Sequence, residues 1–400
     1  MGDDVVRGLA IPAATKIVLL VLDGLGGLPR EPAGPTELEA AAKPTLDRLA
    51  AEGVTGLLTL VAPGITPGSG PGHLALFGYD PLTHRIGRGV LEALGIDLPL
   101  GPKDLAARGN FCTVDAADRI TDRRAGRVSD EVCRTLSALL DKITVDGAEV
   151  TVQPVREHRF VVRFRGEGLS EAVSETDPQQ EGQSPLKAEP LEPEAAKSAR
   201  VVNAFVEAAR GALRDHHPAN MVLLRGFARH PALPTLRERF GLRAAAIAVY
   251  PMYRGLARLA GMEVLPTGTT IAEQLATLRE RWADFDFFFV HVKRTDTAGE
   301  DGDFAAKARA IEEVDRALPA LVALGPDVLA VTGDHSTPAA LRAHSWHPVP
   351  VLLWARTCRP DTVTTFGERA CEAGGLGHLL GRDLLTVMLA HAGRLTKFGA

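Results

Sequence analysis

The chain has 400 residues, of which 45% are hydrophobic and 24% charged, and its formal net charge is −5. This length exceeds the usual size of one domain, so we expect one large domain with an insertion, or two domains. There is no long run of one charge sign and no apolar stretch of membrane-spanning length, so neither nucleic acid nor a membrane is an expected partner.

The cysteines and the N-terminus predict the compartment. The four cysteines are widely spaced and form no Cys-x-x-Cys pair, which indicates free thiols in a reducing environment. The first residues lack the basic and apolar regions of a secretory signal. We therefore expect a cytoplasmic protein.

Strand and helix signals alternate at both ends of the chain. Residues 16–22 predict a buried strand, residues 43–52 a helix with Pro44 in its first turn, and residues 56–61 a second strand. A loop rich in glycine and proline follows at residues 63–72. Such tight alternation is typical of a doubly wound, mostly parallel α/β sheet.

The middle of the chain has a different pattern. Residues 106–198 contain short alternating runs, such as 160–164, and a polar stretch at 174–184. This pattern predicts a smaller α+β insertion with antiparallel strands, which we interpret as a substrate-binding cap domain.

Parallel-type strands are predicted again at residues 220–224, 244–249, 285–292 and 328–331, with a helix at 304–324 before the last of them. The predicted domains are therefore residues 1–105 and 217–400, which form one split α/β domain, and the inserted cap at 106–216.

Carboxylates follow three of the predicted strands. Asp23 ends the first, Asp296 follows the strand at 285–292, and Asp334 and His335 follow the strand at 328–331. The carboxyl ends of parallel strands share one edge of a sheet, where α/β proteins bind ligands. Each of these residues has an ordinary structural explanation when taken alone, but their coincidence predicts a metal site.

Further ligand-type residues lie close to these in the sequence. Glu300 comes four residues after Asp296, and His344 and His347 precede a predicted strand at 349–353. Six or seven oxygen and nitrogen ligands are too many for one tetrahedral ion and suit two divalent cations. We assign structural or supporting roles to His73, His84, His291 and His347.

Ser69 is the candidate nucleophile. It lies between two glycines, just ahead of a predicted helix that includes His73. Glycines permit a close backbone approach and leave amide groups free to bind an anion. A serine hydroxyl deprotonated beside a metal would accept a phosphoryl group.

Several arginines could bind an anionic substrate. Arg123, Arg124 and Arg127 share one predicted turn, and Arg108, Arg225 and Arg254 lie in segments around it. Guanidinium groups bind phosphate and carboxylate in bidentate fashion. A substrate carrying both groups would account for this set.

These motifs together resemble one enzyme family. The chain is similar to the archaeal-type, cofactor-independent (2,3-bisphosphoglycerate-independent) phosphoglycerate mutases of the alkaline phosphatase superfamily. The matching segments run almost from end to end: 21–24, 66–81, 87–95, 108–113, 122–127, 331–336 and 397–400.

The resemblance implies two metal sites. One would be held by Asp23, Ser69, Asp334 and His335, and the other by Asp296, His344 and the residue at position 300. Glu300 departs from the family pattern, which has histidine there. A carboxylate is a harder ligand, so we expect the site to favour Mn²⁺ or Mg²⁺, with Zn²⁺ or Co²⁺ as the alternatives. The alternative is that Glu300 lies behind the ligands and His347 completes the site.

The resemblance also implies the reaction. Ser69 would take the phosphoryl group of 3-phosphoglycerate, and the retained glycerate, held by arginines, would recover it on its 2-hydroxyl without any 2,3-bisphosphoglycerate. The rival hypotheses are a phosphomonoester hydrolase on the same scaffold and a non-catalytic metal- or phosphate-binding protein. The expected partner is phosphoglycerate, and the sequence leaves a homo-oligomer open.

Overall fold

The computed structural model describes residues 3–84, 86–231 and 233–399. Its strands, in chain order, are β1 (Ile17–Leu22), β2 (Val54–Thr59), β3 (Asp104–Val114), β4 (Ile120–Asp122), β5 (Glu149–Arg156), β6 (Arg159–Arg165), β7 (Met221–Arg229), β8 (Ala244–Ile247), β9 (Glu263–Val264), β10 (Phe287–Val292), β11 (Val328–Thr332), β12 (Val349–Ala355) and β13 (Gly377–Leu380).

The helices, in chain order, are α1 (Asp3–Leu9), α2 (Glu37–Ala40), α3 (Pro44–Glu52), α4 (Ser69–Leu76), α5 (Arg88–Gly95), α6 (Asp130–Leu140), α7 (Ala196–Leu213), α8 (Leu236–Phe240), α9 (Pro251–Leu259), α10 (Ile271–Glu280), α11 (Arg294–Asp301), α12 (Phe304–Val322), α13 (Glu368–Cys371) and α14 (Gly381–His391). Among the described residues, no helix is long and apolar enough to span a membrane.

The chain divides into two compact units. The first consists of residues 1–85 and 233–400, and the second of residues 86–232. The second unit is larger than the insertion predicted at 106–216. It is larger because α5 packs on β3 and β7, and because β7 pairs with β3 rather than with the parallel sheet.

The first unit is built on an eight-stranded sheet with the order β13-β2-β12-β11-β1-β10-β8-β9. Only β12 runs against its neighbours in this sheet of the described residues; the other pairs are parallel. Every residue of β1, β10 and β11 is buried, as expected for strands covered on both faces. The predicted mostly parallel α/β sheet is confirmed.

The helices of the first unit form two packed groups. Helices α2, α3, α10 and α11 contact α12, whereas α9 and α14 contact α4. Local sequence sets several boundaries: Pro44 occupies the first turn of α3, and the Asp303 side chain accepts a hydrogen bond from Ala306 N to begin α12. Two helix groups are what a doubly wound sheet requires.

The second unit is an α+β fold on an antiparallel sheet. Its strand order is β4-β3-β6-β5. Strand β7 pairs with the same stretch of β3 as β6 does, on the opposite edge. Helices α6 and α7 pack on this sheet around a core that includes Phe160, Phe164 and Phe205. The predicted antiparallel strand at 160–164 is confirmed within β6. The parallel strand predicted at 220–224 is wrong, because β7 is antiparallel to β3.

The four cysteines of the chain are Cys112, Cys133, Cys358 and Cys371, and all are free. Burial raises the pKa of Cys371 to about 12 and that of Cys112 still further. These thiols are therefore protonated at neutral pH, which suits packing rather than nucleophilic chemistry. The prediction of free thiols is confirmed.

Candidate metal centre and active site

The carboxyl ends of β11, β1 and β10 lie level at one edge of the first unit's sheet. Leu22 pairs in register with Val292, and Val21 pairs with Thr332. The residues that directly follow these strands therefore meet at this edge, as the sequence predicts. Asp23 is the first of them.

The first ligand group consists of Asp23, Asp334 and His335, which are all fully buried and offer ligand atoms within 4.8 Å of one another. His335 Nε2 lies 3.3 Å from Asp23 Oδ1 and 3.2 Å from Asp334 Oδ2. The Oγ atom of Ser69 lies 3.1 Å from the same nitrogen. The candidate nucleophile thus contacts the first ligand group.

Ser69 reaches this position because α4 begins with it. Gly68 is the residue before the helix, so the backbone amides of Ser69 and Gly70 lie at its start, where they have no partner within the helix. A Cβ atom on Gly72 would lie only 2.0 Å from the Asp334 carbonyl oxygen. Gly72 therefore lets the first turn of α4 approach the segment that carries Asp334.

The second ligand group consists of Asp296, His335 and His344, whose ligand atoms also lie within 4.8 Å of one another. Asp296 lies in the first turn of α11. His344 Nε2 is 3.6 Å from Asp296 Oδ1, and the His344 ring stacks on that of His335 with centroids 3.6 Å apart. His335 therefore belongs to both groups.

Glu300 and His347 lie at the margin of the second group. Glu300 is on α11, one turn after Asp296, but its side chain is 55% exposed and its Oε1 atom is 3.9 Å from His344 Nε2. His347 Nδ1 is 3.0 Å from Ser345 Oγ. Among the described residues, neither ligand group includes Glu300 or His347.

Lys293 is a site residue that sequence reasoning missed. Its Nζ atom lies 3.0 Å from Asp23 Oδ2 and 2.6 Å from Asp296 Oδ2, and it donates to the Tyr253 hydroxyl at 3.1 Å. The ammonium group thus joins one carboxylate from each ligand group. Its position directly after β10 is the same strand-end signal that identified Asp23.

Two histidines expected to be structural also contact the site. His291 Nε2 lies 3.2 Å from Asp23 Oδ2. His73 Nδ1 lies 2.8 Å from the Ser69 carbonyl oxygen and 3.1 Å from Asp334 Oδ2. Both imidazoles therefore contact carboxylates of the first ligand group.

The two carboxylates of the first ligand group, Asp23 and Asp334, have lowered pKa values. Burial alone would raise the pKa of Asp23, but the imidazoles of His291 and His335 and the Lys293 charge outweigh it and lower that pKa well below its ordinary range. Burial and Asp23 likewise oppose His335 and His73 at Asp334, and its pKa is also lowered. Both carboxylates are therefore anionic at neutral pH.

The cationic partners show the opposite shifts. Burial lowers the pKa of His335, but Asp334 and Asp23 outweigh it and raise that pKa to about 10. Burial also opposes Asp23 and Asp296 at Lys293, and the pKa of Lys293 is raised. The carboxylates thus create a potential that attracts positive charge.

Whether this site fits a cation can be judged from its buried oxygens. Both Asp23 carboxylate oxygens and Asp334 Oδ2 have no hydrogen-bond partner of ordinary geometry among the described residues. Buried polar atoms are normally hydrogen-bonded, so such a cluster needs an explanation. Carboxylate oxygen and imidazole nitrogen are ligands of divalent ions. The residues present fit a divalent cation.

Two of the predicted substrate arginines share a carboxylate in the second unit. Arg123 donates to Asp177 through Nε at 3.1 Å and Nη2 at 2.6 Å, and Arg225 Nη1 lies 3.7 Å from Asp177 Oδ2. The Asp177 side chain is fully buried. The hydrogen bonds that Arg123 donates to Asp177 raise the pKa of Arg123, so this guanidinium is firmly held in its charged form.

The other predicted arginines differ in their surroundings. Arg108 Nη1 lies 3.4 Å from Glu92 Oε1, and burial lowers the pKa of Arg108 while it raises that of Glu92. Arg124 and Arg127 are exposed. Arg254 lies on α9 of the first unit, so the structure does not place all six arginines in one unit.

Sequence comparisons identify the family. A profile of the 2,3-bisphosphoglycerate-independent phosphoglycerate mutases matches residues 50–220. A curated relative from Thermotoga neapolitana, named as a probable enzyme of this type, is 52% identical and covers 96% of each chain. A relative from Thermus thermophilus with the same name is 52% identical and covers 99% of each chain. The chain belongs to this mutase family.

Solved structures agree with this membership. A protein of Pyrococcus horikoshii has a TM-score of 0.83 and 31% identity, covering 96% of this chain and 99% of its own. The cofactor-independent phosphoglycerate mutase of Thermoplasma acidophilum has a TM-score of 0.72 and 30% identity, covering 94% of this chain and 100% of its own. The similarity thus extends over the full fold.

In this member of the mutase family, the two predicted ligand sets differ in how closely they assemble. The first set is complete: the ligand atoms of Asp23, Asp334 and His335 lie within 4.8 Å of one another, and Ser69 contacts His335. In the second set, Glu300 stands apart from Asp296 and His344 within the part of the chain that the structure describes.

Proposed function

We propose that this protein interconverts 3-phosphoglycerate and 2-phosphoglycerate through a phosphoserine at Ser69. The observation that carries the proposal is the contact of Ser69 Oγ with His335 Nε2 at 3.1 Å, at the head of α4 and beside the first ligand group. Full-length similarity to enzymes named as phosphoglycerate mutases supports the same reaction.

We further propose that the site uses two divalent cations. Asp23, Asp334, His335 and Ser69 would hold one, and Asp296 and His344 would hold the other together with Glu300. When bound, such ions supply positive charge that favours the ionised serine and neutralises phosphoryl oxygens. Because the ligands are mostly carboxylates, Mn²⁺ or Mg²⁺ is the proposed occupant rather than Zn²⁺ or Co²⁺.

In the first step, Ser69 Oγ attacks phosphorus and the bond between phosphorus and the 3-oxygen of the substrate breaks. The proton lost by the serine is balanced by the proton that the 3-oxygen gains. The free amides of the first turn of α4 and the Lys293 ammonium provide fixed positive charge close to the reacting group.

In the second step, the 2-hydroxyl of the retained glycerate attacks the phosphoserine, and Ser69 recovers its proton. Glycerate must turn without leaving, and water must be kept from the phosphoserine, since attack by water would make the enzyme a phosphatase. We propose that arginines among Arg108, Arg123, Arg124, Arg127, Arg225 and Arg254 bind the carboxylate and phosphate groups.

Phosphorus NMR tests this proposal directly. The purified protein is incubated with 3-phosphoglycerate and Mn²⁺, Mg²⁺, Zn²⁺ or Co²⁺, with and without a chelator. If the protein is a mutase, the 2-phosphoglycerate signal appears and the chelator suppresses it. Inorganic phosphate without 2-phosphoglycerate would instead indicate a hydrolase. If neither signal appears with any metal, both enzymatic functions are wrong.

A further inference from the structure

Thr337 connects the two ligand groups. It is fully buried and lies two residues after His335. Its hydroxyl donates to Asp296 Oδ1 at 2.7 Å and lies 2.9 Å from His335 Nδ1. The hydroxyl thus contacts a carboxylate of the second group and the imidazole that both groups share.

The direction of these two hydrogen bonds follows from the number of protons. A hydroxyl has one proton, and a carboxylate can only accept, so the Thr337 proton points to Asp296 Oδ1. The threonine oxygen must then accept from His335, which places a proton on His335 Nδ1. Nε2 is then the ring nitrogen that faces Ser69, Asp23 and Asp334, and it becomes a ligand when a bound cation displaces its proton.

Two glycines make room for this arrangement. A Cβ atom on Gly24, whose φ angle is +65°, would lie 2.5 Å from Thr337 Oγ1 and 2.8 Å from Asp296 Oδ1. A Cβ atom on Gly299 would lie 2.2 Å from the Thr337 carbonyl oxygen. The Asp23-Gly24 pair at the end of β1 therefore has two roles. Asp23 supplies a ligand, and Gly24 leaves space for the threonine hydroxyl.

A buried lysine also holds the backbone of Thr337. Lys307 on α12 is fully buried and donates to the carbonyl oxygens of Thr337 and Gly26, each at 2.8 Å. The Thr337 amide donates to the Gly26 carbonyl at 3.0 Å. With its backbone fixed on both sides, Thr337 has little freedom to turn its hydroxyl away from Asp296 and His335.

We propose that Thr337 is a positioning residue for the metal centre. Its hydroxyl selects the His335 form with Nδ1 protonated and Nε2 free as a ligand, and it fixes Asp296 in the same chain of hydrogen bonds. Partners of this kind orient the ligands of metal sites and set their affinity. The proposal rests on the proposed use of metals, but not on the identity of the substrate.

One consequence concerns the second ligand group. Because His335 Nδ1 is engaged with Thr337, it is not free as a ligand on the side of Asp296, whose Oδ1 lies 3.9 Å away. Among the described residues, the second group then retains Asp296 and His344 as ligands. A further ligand must come from another residue, and the Glu300 carboxylate, with Oε1 3.9 Å from His344 Nε2, is within reach.

The test measures Mn²⁺ binding by calorimetric titration without substrate, so that a failure of mutase activity does not affect it. Thr337→Val keeps the shape and removes the hydroxyl, and we expect it to weaken Mn²⁺ binding by about 10- to 100-fold. Thr337→Ser keeps the hydroxyl and should stay within about 3-fold of the wild type. Equal affinities for the valine variant and the wild type would overturn the proposal.

Thr332→Val is the matched control. Thr332 is also fully buried and close to Asp334 in sequence, but its hydroxyl donates to the Pro350 carbonyl at 2.9 Å. Its loss should lower the melting temperature without changing the Mn²⁺ affinity. If both valine variants lose the same affinity, Thr337 acts only on stability and the proposal is wrong.

A second measurement needs no variant of Thr337. In wild-type protein with ¹⁵N-labelled histidine and bound Mg²⁺, NMR identifies which ring nitrogen of His335 carries the proton. The His335 signals are those absent from His335→Asn. The proposal requires the proton on Nδ1, and a proton on Nε2 would contradict it.

Discussion

The two units differ in how their charged side chains are balanced. In the first unit, Asp23, Asp296 and Asp334 converge on one edge of the sheet, and three buried oxygens of Asp23 and Asp334 lack a hydrogen-bond partner of ordinary geometry among the described residues. In the second unit, Arg123 and Arg225 are already matched by the carboxylate of Asp177. In the first unit, Lys293 and His335 only partly balance the three carboxylates, which can therefore bind an added cation. In the second unit, the two guanidinium groups already share a carboxylate partner.

This difference separates two uses of charge in a binding site. Carboxylates held together against their repulsion gain most from an ion that binds several of them at once. Guanidinium groups held by a protein carboxylate keep free N–H donors, since a bidentate pair uses only part of the fork. Asp177 therefore fixes the direction of Arg123 while leaving it able to bind a substrate anion.

The largest effect should come from the first unit. Ser69→Ala removes the oxygen that accepts the phosphoryl group, so we expect kcat to fall by at least about 10⁴-fold. Because Ser69 contributes little apolar area, the melting temperature should change by only a few degrees. Enzyme assays and mass spectrometry of the phosphorylated protein check both points.

Ser137→Ala is the control for this change, since Ser137 is another buried serine, on α6 of the second unit. It should keep its activity and its phosphoserine. Turnover above about 1% of the wild type in the Ser69 variant would contradict the phosphoserine route.

A smaller effect is expected in the second unit. Asp177→Asn removes the charge that holds Arg123 and Arg225, and we expect the KM for 3-phosphoglycerate to rise by about 10-fold, which corresponds to about 1.4 kcal/mol. The value of kcat should change less, because the reacting groups are untouched. Steady-state kinetics separates the two constants.

Asp104→Asn provides a matched comparison. Asp104 is a buried carboxylate of the same unit that receives two hydrogen bonds from Arg165, at 2.7 and 2.8 Å. Both variants should lose about 1–3 kcal/mol of stability. Only the Asp177 variant should raise KM, and an equal rise in both would show that Asp177 acts through stability alone.

The fold could be predicted where a strand carries its own signal. The apolar runs of β1, β10 and β11 were predicted to within about two residues, because strands buried on both faces consist of continuous apolar residues. The run at 220–224 carries the same signal but belongs to the antiparallel sheet. An apolar run does not specify its partner strand, so the predicted boundary at 216 placed β7 with the wrong sheet.

The site was predictable where several motifs end at one sheet edge. Asp23, Asp334, His335 and Ser69 are near one another in the structure because strand ends and a helix start meet there. Lys293 and Thr337 were missed, although each directly follows a segment on which the prediction rests, 285–292 and 331–336. Their roles depend on which atoms they reach, and spacing in the sequence does not provide those distances.

The smallest expected effect concerns Glu300, where the comparison of the two ligand groups is sharpest. The first group is closed by buried ligands, whereas the second has an exposed carboxylate at its edge. If Glu300 turns inward to complete that group, Glu300→Gln should weaken Mn²⁺ binding by about 3- to 10-fold. Glu300→His should raise the affinity for Zn²⁺ relative to Mn²⁺, since imidazole is the softer ligand.

Asp301→Asn separates ligation from general charge, because Asp301 is the adjacent exposed acid on α11. Loss of long-range attraction alone would affect both variants equally and by less than about 2-fold, since exposed charges are screened by salt. His347→Ala tests the alternative ligand. If Mn²⁺ binding falls in the His347 variant and not in Glu300→Gln, then His347 completes the second group and Glu300 is not a metal ligand.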